Sequence, residues 1–282
     1  LKFTTINGEQ RITELVRIHD RGHVRKIILN RPEKKNAVSL ELAWGLIEAV
    51  RAASKEDNVW IIGLTGSEDA FCSGLDLTPD DGQENFIPMS DQERYLDELG
   101  WVSRFYLTLR EECDTPIVGG INGVAVGAGL ALAMASDIRI MADSARLIAG
   151  YPRIGGSPDG GLSITLSQAV GYEKAMRFLL ENRTVTGEEA KQLGMVSQVV
   201  PNETFHQEFD DYLDSLTSLS PVTGRTTKRV MRAASGIDIE KQLHYELWNI
   251  GKSLGSLDGQ EARRAFIEKR PPNFTGETYK NG

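Results

Sequence analysis

Asp159 lies in the run Ser157-Pro158-Asp159-Gly160-Gly161, where a proline and two glycines set a tight turn at the head of a helical stretch. A carboxylate held on such a turn is available as a general base or as a nucleophile. The same run also reads as an ordinary turn, because Asp is a preferred helix N-cap. Two other segments offer backbone chemistry. In Asp69–Leu77 (DAFCSGLDL), Gly74 permits a sharp bend that leaves the Leu75 amide accessible. A plain glycine turn at a strand end fits those residues as well. In Ile121–Asp137 (INGVAVGAGLALAMASD), Gly127, Ala128 and Gly129 form the first turn of a helix. Its leading N–H groups lack internal partners, and side chains this small leave them open to an anion or a polarised carbonyl. Close packing of a buried helix asks for the same residues. Together the Leu75 and Ala128 amides would converge on one oxygen as an oxyanion hole, suited to a carbonyl compound that becomes an enolate or a tetrahedral adduct.

These groups need elements to position them. Val24–Asn30 (VRKIILN) predicts a strand that Pro32 ends. Ser39 caps a helix reading SLELAWGLIEAVRAAS, with apolar residues at helical spacing. Val59–Thr65 is apolar on both faces, as a buried strand should be. Strand, helix, strand in that order implies parallel pairing through a crossover. The polar stretch Pro79–Asp91 reads as a long loop of the kind that borders a site, and a helix is expected from Gln92 to about Arg110. Ile117–Val126 starts as a strand and runs into the Gly/Ala-rich helix, and Ile138–Met141 is a further strand. Helices follow to Val170, over Glu173–Leu180 and from Gly187. Val196–Val200 is a short strand, and Thr204 to about Lys269 is helical with breaks. The organisation is an α/β core followed by a helical tail, with strand–strand–helix units recurring loosely in the core.

Composition narrows the function classes. With 282 residues and 40% hydrophobic content, the chain can build one large core. A net charge of -8 argues against general nucleic-acid affinity, while leaving room for a local basic pocket around a phosphate-bearing ligand. Cys72 and Cys113 are too few for a disulfide framework or a cysteine-ligated zinc site. His19, His23, His206 and His244 have no metal-ligand spacing, so no metal is expected. There is no apolar stretch of bilayer length, no signal-peptide pattern in LKFTTINGEQ and no address motif in YKNG, so a cytoplasmic protein without a membrane partner is expected.

The three chemical segments together resemble the enoyl-CoA hydratase/isomerase (crotonase) superfamily. RPEKKNAVS (Arg31–Ser39) resembles the segment lining that family's CoA entrance. Asn182–Val200 and Gly259–Gly276 resemble its helix–turn–strand and C-terminal segments. The likeness runs from about Val24 to Gly276. It implies an α/β fold: a crotonase-like spiral of ββα units over residues 1–200, holding the acyl-CoA site. Residues 201–282 would be a C-terminal helical trimerisation region, giving a homotrimer or a dimer of trimers. It implies an acyl-CoA thioester substrate, with CoA arriving as part of that substrate and no permanently bound cofactor. Position by position, it places the oxyanion amides at Leu75 and Ala128. It places CoA or acyl contacts at Arg31, Lys35, Ala37, Ser73, Asp76, Leu77 and Gly127. Ala128 stands where the family more often has Gly, which keeps the amide but narrows the site.

The departures from the pattern are informative. The two glutamates of the family's hydratases fall on Ala131 and Tyr151, so the paired-carboxylate water addition is absent. Asp159 remains, in the Ser-Pro-Asp-Gly context of the family's Δ3,Δ2-enoyl-CoA isomerases, where one acid moves the proton. The same position is the nucleophile of 4-chlorobenzoyl-CoA dehalogenase, whose orienting Trp and water-activating His fall on Tyr151 and Arg104. Tyr can orient Asp159, but Arg stays protonated and is no general base. Isomerisation of an enoyl-CoA by Asp159 is therefore the leading expectation. The alternatives are hydration, hydrolysis or dehalogenation of a cyclic or aromatic acyl-CoA, and a non-catalytic CoA-ester binder or RNA-binding relative.

Overall fold

The computed structural model describes residues 4–6, 9–78, 92, 96–218, 220–234 and 238–273. Two sheets share the strands. The larger has eight strands: β1 (Thr4–Ile6), β2 (Glu9–Thr13), β3 (Val16–Arg21), β4 (Val24–Leu29), β5 (Ile61–Gly66), β7 (Ile117–Ile121), β9 (Ile138–Ala142) and β12 (Gln198–Val200), in that spatial order. β1 to β4 pair antiparallel, and from β4 onward pairing is parallel. The smaller sheet runs β11 (Thr184–Thr186), β10 (Arg146–Ile148), β8 (Val124–Val126) and β6 (Ala70–Cys72).

From β5 to β10 consecutive strands alternate between the sheets. β5, β7 and β9 are neighbours in the large sheet, and β6, β8 and β10 are neighbours in the small one. Each strand–strand–helix unit thus advances one position in both sheets, which makes the core a spiral of ββα turns. β5 (IIGLTG) is buried along its whole length, as expected for a parallel strand covered on both faces. α1 (Leu40–Ser54) crosses from β4 to β5, with Ser39 accepting from Leu42 N at 3.2 Å and Leu42, Leu46, Ile47 and Val50 fully buried. Each such side chain contributes about 1.5–3 kcal/mol of burial.

The Pro79–Asp91 loop lies outside the described residues. The helix expected from Gln92 to Arg110 is interrupted: residues 97–99 are not helical, and α2 (Gly100–Tyr106) follows, continued by a π-helical turn over Leu107–Glu112. The expected strand Ile117–Val126 is two strands in different sheets. Asn122 causes the break: its amide donates to the Glu68 carbonyl (2.8 Å) and accepts from Gly66 N (3.1 Å), tying the turn after β7 to the turn after β5. β6, β10 and β11 were too short to stand out in the sequence. α3 (Ala128–Ala135) is buried throughout, α4 spans Leu162–Val170, α5 Tyr172–Leu180 and α6 Gly187–Leu193. The tail forms α7 (Phe205–Leu216), α8 (Pro221–Ala233), α9 (Ile239–Gly255) and α10 (Leu257–Ile267). Lys228 docks α8 on the core, its ammonium 2.8 Å from Asp137 and donating to the Leu109 and Thr115 carbonyls. No described helix is long and apolar enough to cross a membrane, and no described cluster of His, Cys, Asp or Glu is arranged for a metal.

Candidate active site

Asn36 and Asn122 set the loop that carries Leu75. Both are buried, and their side-chain amides both donate to the Ala70 carbonyl, at 2.8 and 3.2 Å. Past β6 the chain runs beside the Arg31–Ser39 segment. Ser73 N donates to Lys35 O (3.0 Å), Val38 N to Gly74 O (2.7 Å) and Asp76 N to Val38 O (3.0 Å). That pairing is a parallel bridge between Val38 and Leu75, and it uses the Gly74 carbonyl and the Asp76 N–H but not the Leu75 N–H. Gly74 has φ +94°, and a Cβ there would stand 2.7 Å from Val126 O and 3.8 Å from Ala128 N. Only glycine fits this close approach, which brings the two backbone segments together.

Ala128 is the first residue of α3, after Gly127 at φ +52°. Neither the Leu75 nor the Ala128 amide donates a hydrogen bond within the described residues. At the same time a Cβ on Gly129 would meet Cys72 O at 2.2 Å. The small residues of this helix therefore serve tight packing and an open first turn at once.

The remaining expected positions sort into two groups. Arg31 bridges Asp76 (2.6 Å) and donates to Ala37 O (3.2 Å). Burial alone would raise the Asp76 carboxyl, but hydrogen bonds from the Thr78 hydroxyl and amide and the Arg31 guanidinium outweigh it and hold the pKa near 2. Ser73 Oγ donates to Lys34 O at 3.1 Å. Lys35, Leu75 and Leu77 are exposed beside this ion pair, and Ala37 is buried beneath it. These residues form one cluster at the surface, with a cation and apolar side chains in it. The second group is interior. Tyr151 and Asp159 are both under 10% exposed, and the tyrosine hydroxyl donates to Asp159 Oδ1 at 2.9 Å. Tyr151 follows Gly150, whose built Cβ would lie 3.4 Å from Gly127 N. Ala131, one turn into α3, would meet a Cβ on Gly160 at 3.2 Å. The three positions Ala131, Tyr151 and Asp159 thus surround one spot beside the start of α3, and only one of them is a carboxylate.

Burial pushes Asp159 up to about 6 from 3.8, with the Tyr151 hydrogen bond opposing the rise. Burial first, then the Asp159 charge, push the Tyr151 phenol well above its usual value, so it stays protonated and donates. A carboxyl with a pKa just below neutrality is poised as a proton acceptor, since most of it is ionised at pH 7 while its basicity exceeds that of a free aspartate.

Asp159 does not cap α4. The helix starts at Leu162, and its leading amides are satisfied by Glu246 of α9, which accepts from Gly161 N (2.8 Å), Ser163 N (3.2 Å) and Ser163 Oγ (2.5 Å). Sequence reasoning missed Glu246. Its signal was an acid on the apolar stripe Leu243, Glu246, Leu247, Ile250, where a buried charge needs partners. Arg104 is bound to Asp97 (2.6 Å) and lies over the Trp44 ring. None of the four histidines is bonded to Asp159 or Tyr151. His19 and His206 are exposed, His23 stacks on Trp60 and His244 meets Glu98. Two clefts of about 890 and 670 Å³ open along α9 and under α8, but neither is lined by Asp159 or Tyr151, so hydrogen bonding rather than hollow space locates this site.

The Enoyl-CoA hydratase/isomerase family profile matches residues 20–277. A Thermus thermophilus protein named as an enoyl-CoA hydratase is 32% identical over 256 residues, covering 90% of this chain and 98% of its own. The 1,2-epoxyphenylacetyl-CoA isomerase of Escherichia coli is 31% identical over 268 residues, covering 94% and 99%. The crystal structure of an enoyl-CoA hydratase/isomerase from Pseudoalteromonas atlantica superposes with a TM-score of 0.81 at 29% identity, covering 93% of this chain and all of that one. With its alternating ββα spiral and a match over nearly its whole length, the chain belongs to the enoyl-CoA hydratase/isomerase family, whose members act on acyl-CoA thioesters.

Proposed function

We propose that the protein isomerises an enoyl-CoA thioester, with Asp159 as the single acid/base. The supporting observation is the solitary carboxylate: Asp159 is buried and bonded to Tyr151, its neighbour Gly160 lies against Ala131, and there is no second acid at the two positions where the family's hydratases carry glutamate. In this reading the Asp159 carboxylate removes an α-proton from a 3-enoyl thioester. The electron pair moves into the thioester carbonyl, and the Leu75 and Ala128 amides hold the resulting enolate oxygen. The carboxyl then returns its proton to the γ-carbon, leaving the 2-enoyl ester. A positioned acid/base gives roughly 100- to 10,000-fold, and each oxyanion donor about 100- to 1,000-fold. Arg31, Lys35, Ala37, Ser73, Asp76, Leu77 and Gly127 would line the CoA side. Exposed Val230, Met231, Trp248 and Ile267 in the tail favour subunit contacts there, in a trimer or a dimer of trimers.

A second reading keeps the base and changes the acyl group. The name of the Escherichia coli relative points to a cyclic acyl-CoA and an isomerase reaction. A nucleophilic, dehalogenase-like use of Asp159 is less supported, because Arg104 is held by Asp97 and no described histidine stands where it could activate water. The test is turnover of 3-enoyl-, 2-enoyl- and aromatic acyl-CoA esters by wild type and Asp159→Asn. Conversion of 3-enoyl to 2-enoyl esters, lost in the variant while ester binding persists, supports the reading. Net hydration or hydrolysis, or an active variant, overturns it.

A further inference from the structure

We propose that Glu246 is a positioning residue for Asp159: from α9 it clamps the turn that carries the base and completes its electrostatic setting. This rests on the reading of Asp159 as acid/base and names a group from the C-terminal region that this base depends on.

The geometry is specific. Glu246 is 4% exposed and its two oxygens take three donors, all from the two residues Gly161 and Ser163, at the start of α4. Gln242, one turn earlier on α9, donates to Ser163 Oγ at 2.7 Å, which directs the hydroxyl proton toward Glu246. The network therefore has one polarity, with Glu246 as the terminal acceptor, and that is the ionised form. Gly160 and Gly161 both have positive φ and form the link between Asp159 and the helix. The carboxylate fixes that link from one side. Tyr106 fixes it from the other, since a Cβ on Gly161 would fall 2.2 Å from the Tyr106 ring. Without Glu246, nothing else in the described structure bonds the Gly161 amide.

The ionisable groups around Glu246 are Asp159 and Tyr151 in the site and Tyr106 from α2, with Arg110 and Glu111 on the far side of Tyr106. On its own helix, His244 is turned to Glu98. Burial pushes Glu246 up to about 7, and the Asp159 charge adds to the rise. The two carboxyls repel, so each holds its proton to higher pH than it would alone, and they titrate as a coupled pair. Loss of the second proton places a negative charge behind Asp159 and strengthens it as a base.

The experiment compares wild type, Glu246→Gln, Ser163→Ala and Asp159→Asn on a 3-enoyl-CoA ester, measuring kcat, KM and the pH profile of kcat/KM from pH 5 to 9. Glu246→Gln should lower kcat roughly 10- to 100-fold with KM little changed, because the acid is displaced rather than the CoA contacts. Its profile should rise through one ionisation where wild type rises through two. Ser163→Ala keeps both amides capped and should show a smaller fall in kcat, which covers the case of a Glu246→Gln that does not fold. A purely structural role would lower amplitude and leave the profile's shape unchanged, and that result overturns the proposal. So does wild-type kcat in both variants. If Asp159→Asn is active, it is the acid/base reading that fails; if it is dead while Glu246→Gln behaves as wild type, only the positioning role fails.

Discussion

Removing the charge of Asp159 should make the folded protein more stable in base and leave it unchanged in acid. The ordinary carboxyl pKa of 3.8 rises to about 6 in the fold, chiefly through burial. A group with a raised folded pKa binds its proton more tightly when folded, so its stabilising contribution is complete below 3.8 and is lost as pH rises through 6. About two pKa units at 1.36 kcal/mol each put the loss near 3 kcal/mol by pH 8. Asparagine does not ionise, keeps an oxygen for the Tyr151 hydroxyl and escapes this loss. Asp159→Asn should therefore gain on wild type by about 2 kcal/mol between pH 4.5, where part of the loss has already set in, and pH 8. Relief of the Asp159 charge on Glu246 acts in the same direction. Urea unfolding at both pH values and one fixed protein concentration measures the difference, since subunit association would otherwise enter the midpoints. A gap that is constant with pH, or a variant that weakens as pH rises, would refute the reasoning that burial of this ionised carboxylate is a cost.

Two further substitutions probe the same site. Tyr151→Phe removes the hydrogen bond that lowers the Asp159 pKa, so the acid limb of kcat/KM should move to higher pH and kcat should fall about tenfold, in line with a charged hydrogen bond of ~1.5 kcal/mol; a profile superimposable on wild type would exclude the contact. Gly74→Ala forces a Cβ to within 2.7 Å of Val126 O at φ +94°, so the Leu75 amide must shift and kcat should drop roughly 100-fold while thermal unfolding occurs at lower temperature; unaltered kinetics would show that this amide is not an oxyanion donor.

The three chemical segments were legible in sequence because their roles depend on backbone shape. Glycines and prolines declare a turn, and the residues after it declare which amides are left exposed. Asp159 could be read as base or as N-cap, and only the structure separates the two: Glu246 supplies the cap, so Asp159 is free to meet Tyr151. Glu246 itself was illegible because its partners lie 85 residues away along the chain. The same holds for Asn36 and Asn122, which sit inside quoted motifs but whose convergence on the Ala70 carbonyl is a property of the spiral. Local pattern predicted α1 and β4 well, since period and cap agree there. It joins β7 to β8, because the apolar residues on either side mask the Asn122-Gly123 turn that sends the chain into a second sheet.

The long reach of Glu246 also orders events in the life of the chain. During synthesis, β12 completes the large sheet at Val200, well before α9 exists. The last strand of either sheet is therefore made before the carboxylate that bonds the Gly161 and Ser163 amides. The residues that cover the large sheet, Phe209 and Leu213 of α7 against Gly63 and Gly120, are also made before Glu246. On the proposed reading of Asp159, a chain cut short before α9 would carry its base on a turn whose Gly161 amide has lost its partner.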